Sequence, residues 1–150
     1  MKTKATDALL KDHLLINKIL EQFNLDNPRF PKICLTLHRA VLAHAWFEDE
    51  IFIPAIEAEP LLFRRFTEEI MQEHKDIDAL LKLLRKTPLA NQKELEFYSQ
   101  ELKVLLSTHF KKEEDALFPL TERLLTEEGL FELGEEMKRR QTEVRQFLEI

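Results

Sequence analysis

The sequence predicts an all-α protein: an antiparallel, up-down-up-down four-helix bundle followed by a fifth, C-terminal helix. Three observations lead there. The chain has only two glycines, Gly129 and Gly134, in 150 residues, too few for the closely spaced turns of strand-rich folds. Apolar residues recur at i, i+4, i+7 spacing through four long stretches, the period of a helix with one buried face. Prolines and short polar runs fall between those stretches, where helices must stop.

The first helix is expected over about Thr6 to Gln22, ending before NLDNPRFPK, in which Pro28 and Pro31 deny continuity. The second starts at Pro31 or Lys32, since proline suits a first turn, and runs to Glu59-Pro60. A third covers about Leu61 to Lys86 and stops at Thr87-Pro88. The fourth extends from about Asn91 to Leu125, and the fifth from about Glu127 to Leu148 on a broken stripe of Leu130, Leu133, Met137, Val144 and Phe147. Short connections make neighbouring long helices antiparallel. Residues 1–150 read as one domain, the bundle over about 6–125 and the extra helix over about 127–148. A chain of this length buries roughly 70 % of its unfolded surface, enough for an independent core.

The formal net charge is −6, and lysine and arginine are interleaved with glutamate and aspartate. That pattern marks a solvated helix surface rather than a nucleic-acid face. No apolar run approaches the roughly 18–20 residues of a membrane span, and the N-terminus MKTKATDALLKDH lacks the apolar core of a signal peptide. Cys34 is alone, so there is no disulfide framework, CxxC knuckle or haem-attachment motif. A cytoplasmic location is the expectation.

Histidine placement points to chemistry. Four of the five histidines fall one per long helix: His13, His44, His74 and His109. On the second helix, Leu37, Val41, His44, Glu48, Ile51 and Ala55 share a stripe; on the fourth, Tyr98, Leu102, Leu105, His109, Glu113, Ala116 and Leu120 do so. Leu9, His13, Ile16 and Leu20 line up on the first helix, and Ile70, His74, Ile77, Leu81 and Leu84 on the third. Four histidines and two glutamates thus lie on faces otherwise aliphatic and are expected to point inward. A buried, unpaired carboxylate costs several kcal/mol against a total stability of roughly 5–15, so Glu48 and Glu113 need a partner. A pair of cations supplies one. His44/Glu48 and His109/Glu113 are each one helical turn apart, so imidazole and carboxylate can reach one ion, and carboxylates can bridge ions about 3.5–4 Å apart. Nitrogen and oxygen donors without thiolate suit iron or manganese better than structural zinc.

The chain also repeats itself. HAWFEDEIFIPAIE (residues 44–57) aligns without gaps to HFKKEEDALFPLTE (residues 109–122), and Asp12-His13 matches Glu73-His74 with isoleucine three positions on. The order His, HxxxE, His, HxxxE, with an acidic and Phe-Pro tail after each glutamate, resembles the hemerythrin, or HHE cation-binding, family over about Asp7 to Leu125. The resemblance implies two iron ions with an oxo or hydroxo bridge, in preference to manganese or zinc. His13 and His44 would hold one, His74 and His109 the other, with Glu48 and Glu113 bridging. Oxygen-carrying members have a fifth histidine one turn after the third-helix histidine, where this chain has Asp78, and HxxxxD where it has HxxxE. The resemblance therefore favours the branch linked to peroxide handling, iron or oxygen response and nitric oxide. A sensing or metal-storage module without turnover, and a reversible oxygen carrier, are the alternatives.

The remaining candidates read more simply. His38 lies about 120° round the helix from His44 and is expected at the flank or in solvent. Asp78 shares the His74 face and could be a further ligand, a hydrogen-bond acceptor beside a ligand, or a solvated carboxylate. Asp12 and Glu73 precede inward histidines and are expected at the surface, pointing elsewhere. Tyr98, Trp46 and Cys34 read as packing residues. A diatomic or peroxide ligand is the expected small partner, and the C-terminal helix is the surface expected to meet any protein partner.

Overall fold

A computed structural model of the chain describes residues 2–57 and 64–148. Among these residues all regular structure is helical, with no strand. Helix α1 spans Ala5–Glu21, and α2 spans Phe30–Phe47 and continues through a π-helical turn, Glu48–Phe52, into the short α3, Ile53–Glu57. Helix α4 covers Arg64–Lys86. Helix α5, Gln92–Lys112, passes through a second π-helical turn, Glu113–Leu117, into α6, Phe118–Leu124. Two shorter helices follow, α7 at Glu127–Arg139 and α8 at Gln141–Leu148. The expected end of the second helix at Glu59-Pro60 and start of the third at Leu61 lie outside the described residues. No described helix is long and apolar enough to cross a membrane.

The four long segments form the bundle, with α1 packed on α2, α2 on α4 and α4 on α5. Pro31 occupies the first turn of α2 as the sequence suggests. In the loop before it, Asn24 and Asn27 side chains accept the Asp26 and Arg29 amides, local bonds that turn the chain. Phe23 and Phe30 are buried there and seal that end of the core.

Two π-helical turns replace the regular α-helix expected after Glu48 and Glu113. Each widens the helix by one residue and so shifts the buried face by one position. Past Glu48 the chain buries Ile51, Phe52, Ile53 and Ile56, whereas Ala55, expected on the inward stripe, is only half-buried. Past Glu113 it buries Leu117, Phe118 and Thr121, while Ala116 is exposed and Leu120 half-buried. Upstream of the turns the expected stripes largely hold: Leu37, Val41, Leu102 and the whole α4 set are buried, while Leu105 and Tyr98 pack against the core from its margin.

The fifth helix is broken at Arg140. Thr126 caps α7 by accepting the Gly129 amide at 3.0 Å. Helix α7 lies along α1 and touches the π turn Glu48–Phe52, and α8 lies on α2. Leu130, Met137 and Val144 are buried, but Phe147, counted in the expected stripe, is exposed.

The apolar interior falls into two layers. One gathers Ile16, Leu37, Val41, Ile77, Leu81, Leu102 and Leu106 towards the Phe23/Phe30 end. The other gathers Ala5, Leu9, Phe47, Phe52, Ile56, Leu117, Met137 and Val144. His13 sits between Leu9 and Ile16, and His44 between Val41 and Phe47, so the histidines fall where the two layers meet.

Candidate metal centre

All four expected histidines and both glutamates meet in that plane. His13, His44, Glu48, His74, His109 and Glu113 are each buried, the two glutamates fully so. His13 Nε2 lies 3.1 Å from His44 Nε2 and 2.9 Å from Glu113 Oε1. Across the site, His74 Nε2 is 2.9 Å from Glu48 Oε1, and His109 Nε2 is 3.4 Å from Glu113 Oε2. His44 Nε2 stands 3.4 Å from both Glu48 Oε1 and Glu113 Oε1. Two overlapping groups result, each with donor atoms close enough for one ion: His13, His44 and Glu113, and Glu48, His74, His109 and Glu113. The ring pairs stand edge to face, His13 to His44 at 4.7 Å and His74 to His109 at 4.8 Å between centroids.

Every imidazole is turned by a carboxylate on its outer nitrogen. The Nδ1 of His13 meets Glu114 (3.1 Å), that of His44 meets Asp12 (3.1 Å), that of His74 meets Asp49 (2.8 Å), and that of His109 meets Glu73 (2.8 Å). A carboxylate only accepts, so Nδ1–H donates and, in the neutral ring, the Nε2 lone pair faces the interior. This corrects the expectation for Asp12 and Glu73, which do not point away: each turns a histidine of the neighbouring helix. Lys112 holds Glu73 in turn, and bonds Glu69 at 2.6 Å. Asp49 and Glu114 play the same part for His74 and His13, and the repeat aligns them just as it aligns Asp12 with Glu73.

His38 and Asp78 form a separate group. His38 is buried, not at the flank, and donates from Nε2 to Asp78 Oδ1 at 2.7 Å. Its Nδ1 accepts from Arg85 at 3.0 Å. The second Asp78 oxygen takes Lys82 at 2.8 Å. Asp78 belongs to neither histidine–carboxylate group, and its carboxyl is held below the usual range: burial works against this, but the His38 and Lys82 contacts outweigh it. Cys34 is buried, which pushes its thiol up to about 11, so it stays an inert core residue.

The electrostatics of the cluster are those of charges without enough water. Burial, reinforced by Glu113, pushes the Glu48 carboxyl up to about 7. Glu113 goes the other way: burial opposes its ionisation, but contacts from Glu48 and three histidines hold it well below the carboxylate range. Burial likewise opposes protonation of the histidines and is outweighed. The Glu48 charge and the Asp12 bond hold His44 well above its ordinary value, and the Asp49 bond with the nearby Glu48 carboxylate lifts His74 to about 10. His109 is raised chiefly by Glu113 against the same burial.

Even so, both Glu48 oxygens, Glu113 Oε2, and the Nε2 atoms of His74 and His109 have no hydrogen-bond partner. Orphaned polar atoms at this depth cost several kcal/mol together. Unshared donors of nitrogen and oxygen, converging in an apolar layer, fit transition-metal cations.

The comparisons with known proteins agree. The sequence profile of the hemerythrin HHE cation binding domain matches residues 65–149, more than half of the chain. The chain belongs to the hemerythrin HHE cation-binding family. The matched stretch carries His74, His109 and Glu113; the bundle brings His13, His44 and Glu48 into the same cluster. In fold, the chain is similar to the crystal structure of a hemerythrin HHE cation binding domain-containing protein from Mycobacterium kansasii. The TM-score is 0.82 over 97 % of this chain and 89 % of the other, at 22 % identity. At that identity the likeness speaks for the HHE bundle alone. No curated protein matches the chain significantly.

Proposed function

We propose that this HHE domain holds two iron ions through His13, His44, Glu48, His74, His109 and Glu113, and that the centre engages O2, peroxide or nitric oxide. One observation carries the reading: four imidazole nitrogens and two carboxylates converge in a dry layer, and five of their atoms lack a partner. His13 and His44 suit one ion and His74 and His109 the other, with Glu48 and Glu113 between them. Once bound, iron supplies redox chemistry and Lewis acidity.

The chain's own part is preorganisation. Asp12, Asp49, Glu73 and Glu114 keep the imidazoles aimed inward, a role whose loss typically costs 10–100-fold in metal affinity. Phe110 stacks on His13 at 3.9 Å, and Phe118 lies 5.5 Å from the same ring, so water is kept from that half. Loading must displace the protons that His44, His74 and Glu48 hold, hence cation uptake releases acid.

Elemental analysis after expression in iron-replete medium should find about two iron atoms per chain; a single zinc and no iron would overturn the assignment. Replacing Glu48 by glutamine gives a sharper test, because the sign depends on loading. Above about pH 7 the variant should melt higher than the native chain when metal-free, since burial and Glu113 both oppose the Glu48 charge, and lower when iron-loaded. Equal losses in both states would mean that Glu48 does not hold the ions.

A sensing role has one observation in its favour. Helix α7 touches the π turn that begins at Glu48, so occupancy of the centre bears directly on the C-terminal helices. Rapid peroxide consumption by the iron-loaded protein supports turnover. Its absence, with slower amide exchange in α7 on loading, supports sensing.

A further inference from the structure

The six buried groups are shielded unequally, and the inequality shows where ions cross the protein. His13, His44 and His109 are each 2 % exposed, His74 7 %. His74 is also part of the wall of a cleft of about 340 Å3 between α2, α4 and α8. One water occupies about 30 Å3 in the liquid, so a cation with a full shell of about six waters fits inside. Trp46 and Phe147 flank the cleft, and Asp49, Glu50, Asp78 and Lys75 line it. Asp78 is paired with Lys82 and Asp49 with His74, so the exposed Glu50 is the carboxylate that draws cations to the mouth.

Asp49 links mouth to centre. It lines the cleft and also takes His74 Nδ1 at 2.8 Å. Beyond it, His74 Nε2 is buried and has no hydrogen-bond partner, although Glu48 Oε1 is 2.9 Å away. The opposite half of the centre is closed by the Phe110 ring stacked on His13.

Building on the metal-binding reading above, we propose that metal ions enter and leave the centre through the cleft at His74, with Phe147 of α8 as its door. Phe147 is well placed for this. It is 46 % exposed and overhangs the cleft, while Val144, one turn earlier, is buried and anchors α8. Arg140, at the break before α8, lies over the Trp46 ring at 5.0 Å. The door is therefore the Phe147 side chain itself, which can turn between rotamers while Val144 and Leu148 stay packed on the core.

The test is the rate at which ferrozine extracts ferrous iron from the anaerobically loaded, full-length protein. Phe147→Ala should speed extraction several-fold and Phe147→Trp should slow it. Phe97→Ala, at another exposed phenylalanine on α5, should change nothing. Glu50→Lys should slow iron uptake at low salt and approach the native rate at high salt, because only the attraction at the mouth is altered. Phe147 and Glu50 are exposed, so these variants are expected to fold, and melting curves confirm it. Native rates for both Phe147 variants and for Glu50→Lys, in protein that carries its full iron, would place the route elsewhere and overturn the proposal. A native protein that takes up no iron would instead overturn the functional reading, and the route with it.

Discussion

His38 shows what a lone polar side chain on a helix can conceal. Its angle from His44 puts it off the central stripe, which is correct, but a bundle has seams between helices as well as a centre. His38 occupies the seam between α2 and α4, where Asp78 and Arg85 satisfy both ring nitrogens. Removing it strands those partners. We expect His38→Ala to cost about 1–3 kcal/mol in urea unfolding and to leave metal content unchanged, whereas His109→Ala empties the centre. Equal metal loss in both variants would join His38 to the site. The six central residues were legible because helical phase and the repeat point to them independently. Asp12, Asp49, Glu73 and Glu114 were not, because their partners lie on other helices or on the far side of the bundle, and one helical wheel cannot show which acidic neighbour turns which ring. The signal lay in the repeat: an acid before the lone histidine and another after the glutamate, in both copies.

The two π-helical turns explain the main error in the expected helix faces. A wheel at a fixed 100° per residue runs true until Glu48 and Glu113, then loses one position at each, so it puts Ala55, Ala116 and Leu120 on a face that Ile56, Leu117 and Thr121 take. Nothing in propensity marks a π turn. Its start at the glutamate of each HxxxE, twice in the chain, ties it to the carboxylates, whose backbone it widens at the centre. The C-terminal helices depend on a different backbone detail. Gly134 of α7 lies so close to the N-terminal segment that a Cβ there would be 1.8 Å from the Thr3 carbonyl oxygen. In an open helix, glycine to alanine gains about 1 kcal/mol. Here the clash with backbone reverses the sign, and Gly134→Ala should destabilise by about 1–3 kcal/mol. Calorimetry reads this directly, and a raised melting temperature would mean that α7 does not pack so closely.

Taken over all its parts, the protein is a polar layer clamped between two apolar ones, and pH acts on that layer in one predictable direction. Glu48 holds its proton to about 7 in the folded, metal-free chain, above the ordinary glutamate value. Its contribution to stability is therefore complete below that ordinary value and is lost as pH rises through about 7. His74, raised to about 10, contributes fully below the ordinary histidine value and loses its contribution as pH rises towards 10. Metal-free protein should thus weaken from about pH 5 upwards, while metal, competing with those protons, binds better. The gap in melting temperature between loaded and metal-free protein should widen between pH 6 and 9. A constant gap would show that the cluster does not titrate with folding. The all-helical class, the bundle and the single plane of histidines followed from pattern alone; the break at Arg140 did not, since Leu130, Met137 and Val144 keep the same spacing across it. Glu114 of the second repeat turns His13 of the first, and Asp49 of the first turns His74 of the second. Thr6 donates to Glu122, and Thr67 to Glu57, in the same crossed sense. Contacts exchanged in this reciprocal way are those of a twofold axis, in which each surface meets its own copy. Two identical hairpins, free to associate as a homodimer, would build the same set of four histidines and two glutamates without any covalent link between them, so one hairpin gene, copied and joined end to end, is sufficient ancestry for the present chain.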